Sequence, residues 1–149
     1  MTSAMPMSPA EQNELLGEIT TILVRDLPPG WQRLVMDYLN VGRHVNVAAG
    51  VRMADGSTRR VSPPKETARL FSRLRQGMYV EGRGSWYSLE LIVDPPARFS
   101  VRYNWDEEPR FRSEPAPEQF AVDQERYPRA DENMPEWFRR RLAAAGPAS

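Results

Sequence analysis

Residues Trp86 to Trp105 constrain the fold most tightly. In Trp86-Tyr87-Ser88-Leu89-Glu90-Leu91-Ile92-Val93, the residues Tyr87, Leu89, Leu91 and Val93 share one face. In Phe99-Ser100-Val101-Arg102-Tyr103-Asn104-Trp105, four apolar residues share one face while Ser100, Arg102 and Asn104 share the other. Alternation of this kind belongs to half-buried strands. Asp94-Pro95-Pro96-Ala97-Arg98 is too short for a crossover, and its prolines cannot donate to a ladder, so it reads as a turn. The expectation is an antiparallel hairpin at the centre of a sheet.

The preceding residues supply the other elements. Ser8-Pro9-Ala10-Glu11 is a helix start: Ser8 caps, Pro9 takes the first helical position and Glu11 completes a capping box. Leu15, Leu16, Ile19, Ile22 and Leu23 then give one apolar stripe, which Pro28-Pro29-Gly30 ends. Trp31 to Val41 reads as a strand with Leu34, Met36 and Tyr38 on one face. After a turn at Gly42-Arg43, alternation from His44 to Met53 marks a second strand. Asp55-Gly56 is a tight-turn signal, and the meander has two strands, or three if a short one over Thr58 to Val61 follows the turn. Between about Pro64 and Met78, Leu70, Phe71, Leu74 and Met78 give a second helical stripe. Lys65, Glu66, Arg69, Arg73 and Arg75 are assigned to its solvated side.

Downstream of Trp105 the pattern breaks. Asp106-Glu107-Glu108-Pro109-Arg110 reads as an acidic turn, and the chain to Arg129 as an irregular arm. A last helix begins near Met134-Pro135-Glu136, with Trp137, Phe138 and Leu142 inward and Arg139 to Arg141 near its C-terminus, where positive charge suits the dipole. The order gives an α+β fold: an antiparallel sheet of four to five strands with helices packed on one face. The expected organisation is a lead-in over 1–9, one domain over 10–142 and a tail over 143–149.

Composition narrows the function. The 149 residues carry 20 basic and 20 acidic groups and no cysteine. Zero net charge argues against a dedicated nucleic-acid partner, which normally shows a basic excess. Absence of cysteine removes disulfides, thiolate metal sites and a thiol nucleophile. No apolar run approaches the roughly 18 residues of a membrane helix, so no membrane partner is expected. Residues Met1 to Pro9 show no secretion signal, and the expected location is the cytoplasm. His44, the only histidine, has no accompanying nucleophile motif and reads as a surface residue. Gly82-Arg83-Gly84-Ser85 lacks the glycine-lysine pair of a phosphate loop and enters a strand, so it reads as a connection or a mobile loop for a partner's cleft. No catalytic residue, cofactor or metal is expected. A hydrolase reading would need two of the carboxylates near the hairpin to converge within about 5 to 9.5 Å.

Several phrases occur in a particular order: Pro28-Pro29-Gly30-Trp31; the Trp86 strand followed by Phe99 to Asp106; Pro109-Arg110-Phe111; Phe120, Asp123 and Tyr127-Pro128-Arg129; and Met134-Pro135-Glu136-Trp137. Together they resemble the YezG-like immunity proteins. Within that group they are most similar to the actinobacterial branch that includes the immunity factor for tuberculosis necrotizing toxin, an NAD(P) glycohydrolase. The resemblance runs from about Glu11 to Leu142. It implies a cytoplasmic antitoxin, without catalytic activity, that forms a heterodimer with a cognate secreted toxin domain and blocks its active site. A nuclease toxin is the alternative target, and a small-molecule or peptide-binding module the alternative function. Chemistry, rather than the resemblance, suggests the toxin contacts. These are Asp106, Glu107 and Glu108, because toxin sites that bind phosphate are basic; Gly82, Arg83, Gly84 and Ser85 with Trp86 beside them; and Arg110 for specificity.

Overall fold

The computed structural model of the chain describes residues 6–145. Helix α1 (Pro9–Arg25) starts on the expected capping box: Ser8 Oγ accepts from the Glu11 amide at 3.2 Å, and the Ser8 amide donates to Glu11 Oε1 at 3.1 Å. The strands are β1 (Trp31–Val41), β2 (His44–Met53), β3 (Thr58–Val61), β4 (Ser88–Asp94) and β5 (Arg98–Asn104), with α2 (Glu66–Gly77) between β3 and β4. They form one antiparallel sheet in the order β3-β2-β1-β4-β5, so the fold is α+β. Two helices follow, α3 (Glu118–Arg126) and α4 (Glu136–Ala144).

The expected β4–β5 hairpin forms, with Leu91 opposite Val101. It does not occupy the centre. That place belongs to β1, which pairs with β2 on one side and β4 on the other, leaving β5 at an edge. Alternation identifies a strand but carries no information about its neighbours.

The core follows from the two stripes. Leu15, Leu16, Ile19 and Leu23 of α1 and Leu70, Phe71 and Leu74 of α2 pack on Leu34, Met36, Tyr38, Leu89, Leu91 and Val93. Tyr38 stacks on Phe71 with ring centroids 4.6 Å apart. A second cluster joins Val41 and Tyr87, where β1 ends and β4 begins, to Phe120 of α3 and Trp137 and Phe138 of α4. Thus α1 and α2 cover one sheet face, as expected, while α3 and α4 build a separate cluster at the sheet's end.

Four expectations change. The arm is not irregular throughout, because Glu118–Arg126 is helical. Arg75 is not solvated. It is fully buried, and its guanidinium makes a bidentate pair with Asp123 of α3 at 2.5 and 3.0 Å. It also donates to the Trp86 carbonyl at 2.6 Å and to Asn40 Oδ1 at 3.1 Å. The lead-in is shorter than expected: the Met7 amide bonds to the Gly77 carbonyl, and Met7 packs on the core. Helix α4 also extends into the expected tail. Residues 1–5 of the lead-in and 146–149 of the tail lie outside the described residues.

Removing one member of a buried ion pair strands the other charge, which costs roughly 3–5 kcal/mol. Asp123→Ala is therefore expected to lower unfolding free energy by about that much, and an Arg75→Leu/Asp123→Leu pair by less. Urea denaturation measures both; a single-variant loss under about 1 kcal/mol would contradict the assignment. Alkaline pH offers a second check. Burial raises the phenol of Tyr38 to about 12, and likewise raises Tyr103 to about 12 and Tyr87 further. Unfolded tyrosines ionise near 10. Their neutral form stabilises the fold fully below that value, and the contribution is lost as pH rises from about 10 through 12. Melting temperature should fall across that window.

Candidate functional site

The helices cover one face of the sheet and, among the described residues, leave most of the other open. Cross-strand pairing places Arg33, Val35, Asp37 and Leu39 of β1 beside Arg52, Gly50, Ala48 and Asn46 of β2 on that face. Glu90 of β4 lies opposite both Asp37 and Arg102 of β5. The resulting cleft, about 930 Å³, has Asp37, Asn46, Ala48, Ser88, Glu90 and Asn104 among its lining residues. Its rim is the segment from Trp105 to Arg112.

The floor is electrostatically organised. Arg33 holds Asp94 through two bonds of 2.8 and 3.0 Å, and this keeps the Asp94 carboxyl below its ordinary value. Arg102 holds Glu90 at 2.9 Å. Asp37 behaves differently. Desolvation raises its carboxyl above the ordinary value, neighbouring Glu90 adds to the effect and Arg112 opposes it.

The rim is fixed by many short-range bonds. Asn104 donates from Nδ2 to the Glu107 carbonyl at 2.8 Å and accepts from the Glu107 amide at 2.9 Å. Trp137 Nε1 donates to the Asp106 carbonyl at 2.7 Å. Arg141 grips Glu108 at 2.9 Å and Glu114 at 2.8 Å. Further along, Asn46 Oδ1 accepts from the Arg112 amide at 3.0 Å, and His44 Nε2 lies 2.9 Å from the Ser113 carbonyl. His44 is thus a fastening for the arm.

Arg129 ties the rim to the glycine loop. Its guanidinium is buried, stacks over the Tyr87 ring at 4.5 Å and donates to the carbonyls of Ser85 (3.0 Å), Trp105 (2.5 Å) and Asn133 (3.2 Å). It also meets Asp106 Oδ1 at 3.3 Å. The Gly82 carbonyl in turn accepts from the Ala130 amide at 2.8 Å and from Asn133 Nδ2 at 3.0 Å.

These contacts sort the expected toxin-contact residues. Asp106, Glu107 and Arg110 line the cleft and are exposed. Glu108 is exposed but neutralised by Arg141 beside the cleft, and Asp106 faces Arg129. Glu107 is the member of the acidic turn without an ion pair among the described residues. The glycine loop is no free probe. Gly84 and Ser85 are buried, and the turn closes on itself through the Val80 amide to the Gly84 carbonyl at 2.9 Å. Only Arg83 in this loop presents an exposed residue. Trp86 is fully buried, its ring 5.7 Å from Tyr103 and 5.9 Å from Tyr38, so it supports the site from beneath and cannot touch a partner.

The sequence reading missed the cleft floor. Asp37, Asn46, Glu90 and Arg102 had a signal, since each is a polar alternate in a strand whose other face is apolar. Helices packed on one face already imply an open opposite face; what the sequence did not show is that the Trp105–Arg112 segment borders it to make a cleft.

Gly84 has φ +78°, and a Cβ there would stand 2.6 Å from Arg129 Nε. Gly82 has φ +81° with nothing within 4 Å of its notional Cβ. Gly82→Ala should therefore cost only the left-handed backbone term, about 1–2 kcal/mol. Gly84→Ala should cost more, because it also displaces Arg129 from its carbonyl partners. Thermal unfolding of the two variants checks the order; equal losses would count against a fixed Arg129.

Comparison of the sequence with protein-family models gives no match, and comparison with curated proteins gives none either.

Proposed function

We propose that this chain is an immunity protein that binds a cognate secreted toxin domain and blocks its active site from the open sheet face and its rim. The resemblance of the ordered phrases between Pro28 and Trp137 to YezG-like immunity proteins supplies the class. In that reading the toxin is an NAD(P) glycohydrolase, the encounter takes place in the cytoplasm, and the chain contributes no catalysis.

One observation carries the proposal: an open cleft whose rim is held by bonds from Asn104, Trp137, Arg141 and Arg129 while Glu107 stays exposed, with no ion pair among the described residues. A rim already fixed in place loses little conformational entropy on binding, which favours tight inhibition. An unpaired carboxylate at its edge complements a basic, phosphate-binding toxin site and speeds capture. Occlusion needs only a complementary surface of about 800 Å² on each partner.

A second reading also has an observation behind it. The cleft volume of about 930 Å³ lies within the usual range for small-molecule sites, so a ligand-binding module is the alternative. A melting shift with a small molecule, and no protein complex, would favour it.

The test is co-expression with the toxin domain that this reading places in the neighbouring gene. Survival with NAD preserved, against death and NAD loss without the chain, is the expected result. Survival with NAD unchanged in both cases would redirect the proposal to a nuclease. No rescue and no complex on a sizing column would overturn it. Glu107→Lys is expected to weaken toxin binding roughly tenfold, read by calorimetry, with unchanged melting temperature.

A further inference from the structure

The first cleft sets four carboxylates beside three arginines, whereas the second half of the open face is lined by four arginines and one carboxylate. A cleft of about 770 Å³ adjoins the first and shares Asp37, Ala48 and Arg112 with it. Arg33 and Arg52 stand directly opposite each other on β1 and β2. Arg60 of β3 lies opposite Gly50, one position further along the same face, and Arg112 enters from the arm. Like charges directly opposite across strands destabilise a sheet, so such a cluster requires counter-charge.

Among the described residues that counter-charge is incomplete. Asp94 is committed to Arg33 through two bonds. Arg52, Arg60 and Arg112 are exposed and have no carboxylate at ion-pair distance among the described residues. Between them the floor is low and apolar. Gly50 has no side chain, Ala48 has one methyl, and Val35 is 37% exposed. A trough with an apolar floor and guanidinium walls has room for an extended chain whose acidic side chains reach the walls and whose apolar side chains rest on Val35.

We propose that the arginine half of this face receives an extended, carboxylate-bearing segment of the protein partner. The identity of that partner as the toxin rests on the function proposed above; the chemistry of the trough does not. A nucleic-acid strand fits less well. Its uniform negative charge would run from the arginines over Asp37 toward Glu90 and Glu107 in the same groove. A polypeptide can carry acidic groups at one end and basic groups at the other, matching both halves.

The probe is a short fluorescent peptide of alternating glutamate and leucine, titrated by anisotropy. The controls are its lysine counterpart and an oligothymidylate. Expected are saturable, salt-sensitive binding of the glutamate peptide, weaker binding of both controls, and a roughly tenfold loss in Arg52→Glu/Arg60→Glu. Both substituted side chains are exposed, and circular dichroism confirms the fold of the variant. No binding of the glutamate peptide, equal binding by the variant, or tighter binding of the oligothymidylate would each overturn the proposal. The toxin domain separates this inference from the functional reading. A complex with the toxin that survives Arg52→Glu/Arg60→Glu unchanged sinks the inference alone, whereas no complex with wild type sinks the functional reading and leaves the peptide titration to judge the trough.

Discussion

The buried pair of Arg75 and Asp123 holds the two halves of this molecule together. Arg75 belongs to α2, which is packed in the main core, and Asp123 to α3, which is not. Between them the guanidinium reaches the carbonyl of Trp86 and the amide oxygen of Asn40, while Asp123 Oδ1 also accepts the Gly42 amide at 2.9 Å. One interaction thus ties a helix, the end of β1, the β1–β2 turn, the approach to β4 and the arm. Desolvating two such charges costs several kcal/mol each, and only excellent geometry offsets it. Here the bidentate contact, three further hydrogen bonds and the Tyr127 ring 4.5 Å from the guanidinium provide it. Buried ion pairs of this kind add little net stability over well-packed apolar residues of the same volume. What it contributes is direction: α3 can dock in one place only, and the close approach at Gly42, where a Cβ would meet the Gln119 carbonyl at 2.5 Å, depends on that placement.

Arg129 repeats the device on the far side of the arm. It caps carbonyls from three separate segments that β pairing leaves unsatisfied. The rim of the open cleft therefore belongs to a framework of two buried arginines, and its acidic turn is displayed on a rigid mount. That rigidity links the fold to the function proposed for it. A surface meant to fill another protein's cleft gains affinity from being ordered beforehand. The division of the open face into an acidic rim and an arginine trough adds orientation, because a partner with the opposite polarity fits one way round.

Much of this was legible in the residues. The capping box at Ser8, four of the strands and the turns at Gly42 and Asp55 follow from local pattern, and the structure has them together with the short fifth strand that the pattern left open. Arg75 was misread because an arginine beside an apolar stripe resembles its solvated neighbours Arg69 and Arg73; its partner lies 48 residues away. Helix α3 was missed because Glu118 to Arg126 is short and mostly polar, with Phe120 and Asp123 as its buried residues. The central position given to the β4–β5 hairpin failed since strand order is a tertiary property. Of the expected contact residues, Asp106, Glu107 and Arg110, chosen for charge and turn chemistry, line the open cleft. Trp86, Gly84 and Ser85 are buried, which the residues did not show, because a loop rich in glycine reads as mobile whether it is free or, as here, packed against a buried side chain.

Hydrogen–deuterium exchange on the chain, alone and with the toxin domain, tests the central claim most directly. That claim is that the open face and its rim form the binding surface, mounted on the arginine framework. The account predicts new protection across residues 105–113 and at the edge strand β3 on toxin addition, with α1 and α2 unchanged. Protection confined to α1 and α2, with 105–113 exchanging as before, would contradict it and place the partner on the helical side.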